Sequence, residues 1–166
     1  VGDALTSTGR PRTLVSVIVP HRNTPEALDR CVETVVRCCA ELAYELVVVD
    51  NGSDAESRPR PALERGGRVL RNDRNRGFAA ACNQAAAVAS GRYLLFLNSD
   101  VEVGASTISR MVEQLERDPR RDGERSLAPD DKLCEIVARD ILQNAPANID
   151  DFAHRRNGFE SENVIF

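Results

Sequence analysis

A short apolar run that stops at three polar residues is the feature that most restricts how this chain can fold. Tyr93 to Leu97 is uniformly apolar, and Asn98-Ser99-Asp100 follows it directly. Such a run is typical of a strand buried on both faces of a sheet, and ligands of open α/β sheets bind outside the carboxyl ends of the strands. Asp100 is therefore a candidate ligand for Mg²⁺ or Mn²⁺ beside a nucleotide phosphate. A polar strand exit, with Asp100 as a helix cap, explains the same residues equally well.

Two earlier runs repeat this pattern. Leu14 to Val19 ends at Pro20, and Glu45 to Val49 ends at Asp50-Asn51-Gly52-Ser53. Between them, Thr24-Pro25-Glu26 predicts a helix start, with Thr24 as the N-cap and Pro25 in the first helical position. A helix between two buried strands predicts a βαβ unit with a parallel sheet. The apolar face of that helix is expected to contain Leu28, Cys31, Val32, Val35, Cys39 and Leu42.

The remaining elements follow from composition and periodicity. Gly67 to Leu70 is a short third strand, Phe78 to Ala89 an alanine-rich helix, and Thr107 to Arg117 an amphipathic helix. The composition changes after Pro119, and Asp131 to Gln143 has the spacing of one more amphipathic helix. The predicted organisation is a flexible terminus over 1–13, a domain over 14–119, and a linker, helix and divergent tail over 120–166.

Bulk properties exclude several classes of function. The net charge of −4 argues against broad electrostatic binding of nucleic acid or of an anionic membrane. No apolar run approaches the length of a membrane span, and no secretory signal pattern is present. The five cysteines form no C-x-x-C pair, which favours buried thiols in a cytoplasmic protein over a disulfide framework.

Four separated motifs occur in one order along the chain. They are Val17 to Pro20 with Asn23, Val47 to Ser53, Asn75-x-Gly77-x-x-Ala80-x-x-Asn83, and Leu97 to Asp100. Together, over roughly residues 14 to 118, they resemble the amino-terminal half of a family 2 glycosyltransferase. That resemblance implies a GT-A fold, which is a Rossmann-like three-layer αβα domain with a mostly parallel sheet.

The resemblance also implies a ligand set. The donor would be a UDP- or dTDP-linked sugar, held with Mg²⁺ or Mn²⁺. Asp50 would accept a hydrogen bond from the ring N–H of uracil or thymine, and Asp100, in the D-x-D position, would hold the metal on the diphosphate. A charge-assisted hydrogen bond of this kind is about twice as strong as a neutral one. The residues implied to line the nucleotide are Pro20, Asn23, Asp50, Asn51, Ser53, Gly77, Asn83 and Asn98.

The sequence departs from the family pattern in two places. Asn98 stands where the first D-x-D aspartate is usual, and this form resembles the rhamnosyltransferase-like branch, which implies a dTDP-linked donor. After Pro119 no counterpart of the family's further strands or acceptor-side base is recognisable. Four carboxylates remain without a predicted position: Asp130, Asp131, Asp150 and Asp151. The expected fold is therefore a truncated GT-A domain with a helical C-terminal tail.

The sequence is compatible with two functions. The first is an inverting transfer of the sugar to a hydroxyl of an unknown glycan or small-molecule acceptor. The alternative is a catalytically incomplete module that binds a nucleotide or a partner. An incomplete sheet predicts self-association or a completing partner chain. A dinucleotide-binding domain is disfavoured because Pro20-His21-Arg22-Asn23, and no G-x-G-x-x-G, follows the first strand, with His21 expected in a loop.

Overall fold

The computed structural model describes residues 13–60, 66–117, 124–126 and 134–138, and these contain one mixed sheet. Its strands are β1 (Val15–His21), β2 (Tyr44–Asn51), β3 (Arg68–Asn72), β4 (Tyr93–Leu97), β5 (Glu124–Ser126) and β6 (Cys134–Ala138). Their order across the sheet is β3-β2-β1-β4-β6-β5. The first four strands are parallel, whereas β6 runs antiparallel to both β4 and β5.

Helices cover both faces of the sheet and complete the predicted three layers. They are α1 (Pro25–Cys38), α2 (Phe78–Val88) and α3 (Thr107–Arg117), with a 3₁₀ turn at Ala55–Ser57. On one face, α1 and α3 pack against Val17, Val48 and Leu95; on the other, α2 packs against Ile18 and Val47. Every residue of β1 is buried, which explains why its sequence is apolar on both faces.

Up to Arg117 the described elements agree with the predictions except at their ends. The strand β2 continues through Asp50 and Asn51 and β3 through Asn72, and the first βαβ unit differs in two further places. The helix α1 ends at Cys38, so Cys39 and Leu42 lie beyond it, although Cys39 is buried and Leu42 packs against the core. The strand β1 continues to His21, which was expected in a loop. Parallel pairing of His21 with Asp50 extends the strand past Pro20.

The predicted helix over Asp131 to Gln143 is wrong over Cys134–Ala138, which forms β6. Leu97 pairs with Cys134 and Tyr93 with Ala138, so β6 covers the full length of β4. A short apolar run does not by itself distinguish helix from strand. The open edge of β4 decides between them, because unpaired strand groups are costly when buried. The sheet therefore continues beyond the expected truncation, and Glu124–Ser126, expected in a linker, forms β5. The other residues of the predicted linker, helix and tail lie outside the described residues.

The strand order creates a switch point between β1 and β4. The chain passes from β1 to β2 and β3 on one side and then returns to β4 on the other side of β1. Ligands of open α/β sheets bind in the crevice at the carboxyl ends of such strands. The chain also enters β6 at this edge, because Cys134 lies opposite Leu97. No helix in the described part of the chain is long and apolar enough to cross a membrane.

Candidate functional site

Three strands deliver polar residues to the carboxyl edge of the sheet. The central strand β1 ends at His21, which pairs in register with Asp50 of β2. On the other side, β4 ends at Leu97 and the chain continues through Asn98 to Asp100. The two carboxylates singled out in the sequence, Asp50 and Asp100, therefore leave the sheet at the same edge, on opposite sides of β1.

Asp50 is a fully buried carboxylate, and among the described residues only one of its two oxygens accepts a hydrogen bond. Its Oδ1 accepts a hydrogen bond from the Ser53 N–H at 2.9 Å. Its Oδ2 has no hydrogen-bond partner among the described residues, although Nη1 of Arg71 lies 3.2 Å away. That contact is an ion pair without hydrogen-bond alignment, and it balances the buried charge. Arg71 also donates from Nη2 to the Ser53 carbonyl, while its side chain remains 40% exposed.

Asn51 uses its entire amide group inside the protein. Its Nδ2 donates to Oδ1 of Asn75 at 2.9 Å and to the Gly77 carbonyl at 3.1 Å. Its Oδ1 accepts from Nδ2 of Asn72 at 3.1 Å and from the Arg76 N–H at 3.0 Å. Two donors and two acceptor positions are the whole capacity of an amide side chain. Asn51 therefore fixes the loop between β3 and α2 and shapes this wall of the site.

Asn23 joins the loop after β1 to the loop after β2. It adopts a left-handed backbone conformation, with a φ of 53°, which asparagine tolerates better than most residues. Its side chain and Asp54 exchange two hydrogen bonds, and its N–H donates to Oγ of Ser53 at 3.0 Å. The predicted site residues Asn23 and Ser53 thus contact each other. Pro20 is buried at the end of β1, and Asn83 is half-buried on α2.

The loop after β4 is held by side chains of α1 and of the residue before it. Thr24 occupies the predicted N-cap position, but its hydroxyl makes no capping bond and instead lies 3.2 Å from Oγ of Ser99. The thiol of Cys31 donates to the Asn98 carbonyl at 3.7 Å. Asp100 itself is exposed at the edge of the sheet.

Two further α1 residues continue this support along the same loop. The Thr34 hydroxyl accepts the Val103 N–H at 3.0 Å, and the Cys38 thiol donates to the Gly104 carbonyl at 3.3 Å. The sequence pattern predicts the cysteines of this helix only as core residues. Their helical spacing with Thr34 was the available indication that one face of α1 carries hydrogen-bonding groups.

The oxygen ligands available at Asp100 suit a metal ion that is bound together with substrate phosphates. Among the described residues no group of three or more histidine, cysteine, aspartate or glutamate side chains is close enough to hold a metal ion. Mg²⁺ is commonly bound by one or two carboxylates together with substrate phosphates and water. A single exposed carboxylate preceded by the amide oxygen of Asn98 fits that arrangement. Asp130, Asp131, Asp150 and Asp151 lie outside the described residues.

Comparison with known proteins identifies relatives over this same region. The family model for glycosyl transferase family 2 matches residues 16–125. A TPR repeat-containing protein of Synechococcus elongatus is 33% identical over 109 residues, which is 66% of this chain and 26% of that protein. Glycosyltransferase GlyG of Streptococcus pneumoniae is 32% identical over 107 residues, 62% of this chain and 35% of GlyG. This chain therefore matches only a minor part of the length of these relatives.

Solved structures share the fold at low sequence identity. The mannosyltransferase PcManGT of Pyrobaculum calidifontis, in complex with GDP-Man and Mn²⁺, superposes with a TM-score of 0.67 at 18% identity, covering 82% of this chain and 50% of that one. S. aureus TarS in complex with UDP-GlcNAc superposes with a TM-score of 0.62 at 17% identity, covering 79% of this chain and 47% of that one. These likenesses confirm the expected GT-A-like α/β fold.

Proposed function

Because the chain belongs to glycosyltransferase family 2, we propose that the carboxyl edge of its sheet binds the nucleoside diphosphate of a sugar donor and that it serves the transfer of that sugar to an acceptor hydroxyl. The observation that carries the proposal is the placement of a buried carboxylate, Asp50, and an exposed one, Asp100, on opposite sides of β1 at the switch point. This arrangement supports a binding site for the base on one side of β1 and a binding site for the diphosphate on the other.

The base is expected beside Asp50. Its Oδ2 has unused lone pairs, and the ring N–H of uracil or thymine is a matching donor. The base can reach Oδ2 only if Arg71 turns outward, because that oxygen is now covered. The half-exposed side chain of Arg71 is free to do so on its solvent side. A buried carboxylate that is held by the Ser53 N–H is pre-organised for such a contact.

The diphosphate is expected between Asp100 and the loops after β1 and β3. A divalent ion held by Asp100 would neutralise the charge that develops on the departing nucleoside diphosphate. Three exposed arginines, Arg22, Arg74 and Arg76, lie in those two loops and add positive charge near this edge. The Asn98 side chain contributes a neutral oxygen to the same loop.

Transfer with inversion requires a base within hydrogen-bond reach of the acceptor hydroxyl. The carboxylates that remain as candidates lie outside the described residues, and the matched region spans 26% and 35% of two relatives. A second candidate function therefore stays open: the chain binds the donor nucleotide, or a partner, without turnover. Only the first function, sugar transfer, requires an acceptor, which is a glycan or a small molecule.

Calorimetric titration tests the shared part of both proposals. UDP, dTDP and GDP are titrated into the chain with and without Mn²⁺, and the matching nucleosides serve as controls. We expect one diphosphate to bind, with an affinity that Mn²⁺ raises, while binding of its nucleoside is insensitive to the metal. No binding of any of the three would overturn the proposal. Release of nucleoside diphosphate from the corresponding sugar donor then separates a transferase from a binding module.

A further inference from the structure

His21 lies at the end of the central strand and makes a hydrogen bond with each ring nitrogen. The residue is 2% exposed. Its Nε2 lies 2.9 Å from the carbonyl oxygen of Ser57 in the 3₁₀ turn, and its Nδ1 lies 3.1 Å from Oγ1 of Thr24. Thr24 is in turn 3.2 Å from Oγ of Ser99. A continuous chain of polar groups therefore runs from the β2 side of β1 to the loop after β4.

The chemistry of these groups determines which one donates and which one accepts in each hydrogen bond. A carbonyl oxygen only accepts, so Nε2 carries the hydrogen that is donated to Ser57. In neutral imidazole the other nitrogen is then an acceptor, and the Thr24 hydroxyl donates to Nδ1. Because the single hydroxyl hydrogen of Thr24 is used there, its oxygen accepts from the Ser99 hydroxyl. The tautomer set at Ser57 thus determines the orientation of Ser99.

Ser99 lies between the two residues that the proposed site offers to a diphosphate and its metal. Asn98, on one side, is also held through its carbonyl by Cys31, and Asp100, on the other, is exposed. We propose that His21 is a positioning residue: acting through Thr24 and Ser99, it fixes the loop after β4 in the conformation that binds the donor diphosphate. This inference rests on the proposed function of the same edge.

Two pairs of variants separate positioning from simple packing. In His21→Gln the amide nitrogen reaches toward the Ser57 carbonyl, but the acceptor for Thr24 is lost. In His21→Asn an oxygen stands near the place of Nδ1, and the contact with Ser57 is lost. Thr24→Val removes the hydroxyl at nearly constant volume, and Thr24→Ser keeps it. If His21 only fills space, the smaller asparagine is the more damaging of its two replacements.

Binding of the nucleoside diphosphate that the wild type prefers is measured with Mn²⁺, together with binding of its nucleoside. We expect His21→Gln and Thr24→Val each to weaken diphosphate binding by roughly three- to tenfold, as for one lost hydrogen bond. Nucleoside binding is expected to remain unchanged, and the double variant is expected to lose no more than either single one. His21→Asn and Thr24→Ser are expected to retain most of the affinity. An equal loss in His21→Gln and His21→Asn, or no loss in either, overturns the proposal.

Hydrogen exchange provides a readout that needs no ligand. The Val101 N–H donates to the Asn98 carbonyl at 3.1 Å across the loop in question. We expect this amide to exchange faster in His21→Gln and Thr24→Val than in His21→Asn and Thr24→Ser. If the wild type binds no nucleotide, the proposed function fails and the exchange pattern alone decides whether His21 positions the loop. Equal exchange in all four variants rejects that positioning.

Discussion

The guanidinium of Arg71 lies 3.2 Å from Oδ2 of Asp50, so β3 supplies the counter-charge of the carboxylate that β2 buries. Register explains the pair, because Asp50 and Arg71 are direct partners of the parallel ladder. The same guanidinium holds the Ser53 carbonyl, which ties β3 to the turn after β2. Arg71 is therefore both the charge partner of Asp50 and the group that covers it.

Asp50→Asn is expected to weaken nucleotide binding by roughly tenfold or more, because a hydrogen bond to a charged group contributes more than a neutral one. The loss is expected to be the same with and without Mn²⁺, since the proposed contact of Asp50 is with the base and not with the diphosphate. The fold should tolerate the change, because asparagine is neutral and Arg71 can extend into solvent. Calorimetry with the preferred nucleoside diphosphate measures the effect. Unchanged affinity contradicts the role assigned to Asp50.

Asp100→Ala is expected to abolish the increase in diphosphate affinity that Mn²⁺ produces, while nucleoside binding stays nearly constant. Asp100 is exposed, so its substitution should change the free energy of unfolding by less than about 0.5 kcal/mol. Asp73→Ala, at an exposed position in the loop after β3, is the matched control. A metal effect that persists in Asp100→Ala would show that the ion is held elsewhere.

Gly52→Ala is expected to destabilise the fold more than Gly66→Ala. Both glycines have a positive φ, 81° and 78°, so each alanine has a similar backbone cost of about 1 kcal/mol. A Cβ at Gly52 would also lie 2.5 Å from the Arg74 backbone carbon, whereas a Cβ at Gly66 meets no described residue within 4 Å. Chemical denaturation of the two variants measures the difference. Equal losses would show that the 74–75 backbone moves aside without cost.

Glu45 should make stability depend on pH. Burial alone would raise its pKa, but hydrogen bonds from Ser16 and Ser90 bring it below the ordinary value of 4.5. The unfolded chain therefore binds this proton more readily than the folded one. The stabilisation is present above pH 4.5 and is lost as pH falls through the lower, folded pKa.

Glu45→Gln tests this sign. The variant is expected to be about 1 kcal/mol less stable than the wild type at pH 7. This difference should shrink as the pH falls below the pKa of the free carboxyl group. Glu113→Gln, at an exposed residue of α3, controls for the general effect of removing a carboxylate. A difference that is constant with pH in unfolding experiments would contradict the assignment.

The described cysteines should be unreactive until the protein unfolds. Cys31, Cys38, Cys39 and Cys82 are buried and form no disulfide among the described residues, and burial, together with the neighbouring Cys38, raises the pKa of Cys39 to about 12. Burial also raises the pKa of Cys82. Because the thiolate is the reactive form, a thiol reagent at pH 8 should modify these residues only at the rate of unfolding. The experiment uses a Cys134→Ser background, and fast native-state labelling of Cys39 contradicts the prediction.

Local patterns in the sequence were sufficient to locate the helices and strands up to Arg117, apart from their exact ends, and to single out the candidate carboxylates. Tyr93–Leu97 was recognisable as a buried strand because its whole length is apolar, and Thr107–Arg117 as a helix because its apolar residues recur at helical spacing. Asp50 and Asp100 were identifiable because each follows an apolar run in the sequence, although Asp50 itself lies within β2. All of these features depend on residues close together in the chain.

The tertiary structure decided which residues that are distant in the sequence contact one another. Cys134–Ala138 became a strand because β4 offers it an open edge, against its helical spacing. The Thr24 hydroxyl contacts His21 and Ser99 in place of a helix N–H, and Ser99 is 75 positions away. Asn51 was expected at the nucleotide, and its amide is saturated by Asn72 at the end of β3 and by the loop after that strand. The sequence by itself determined the helices and strands up to Arg117 and the carboxylates near the strand ends, because periodicity and strand ends are local. The strand order decided which polar groups meet, because hydrogen bonds form between neighbours in space.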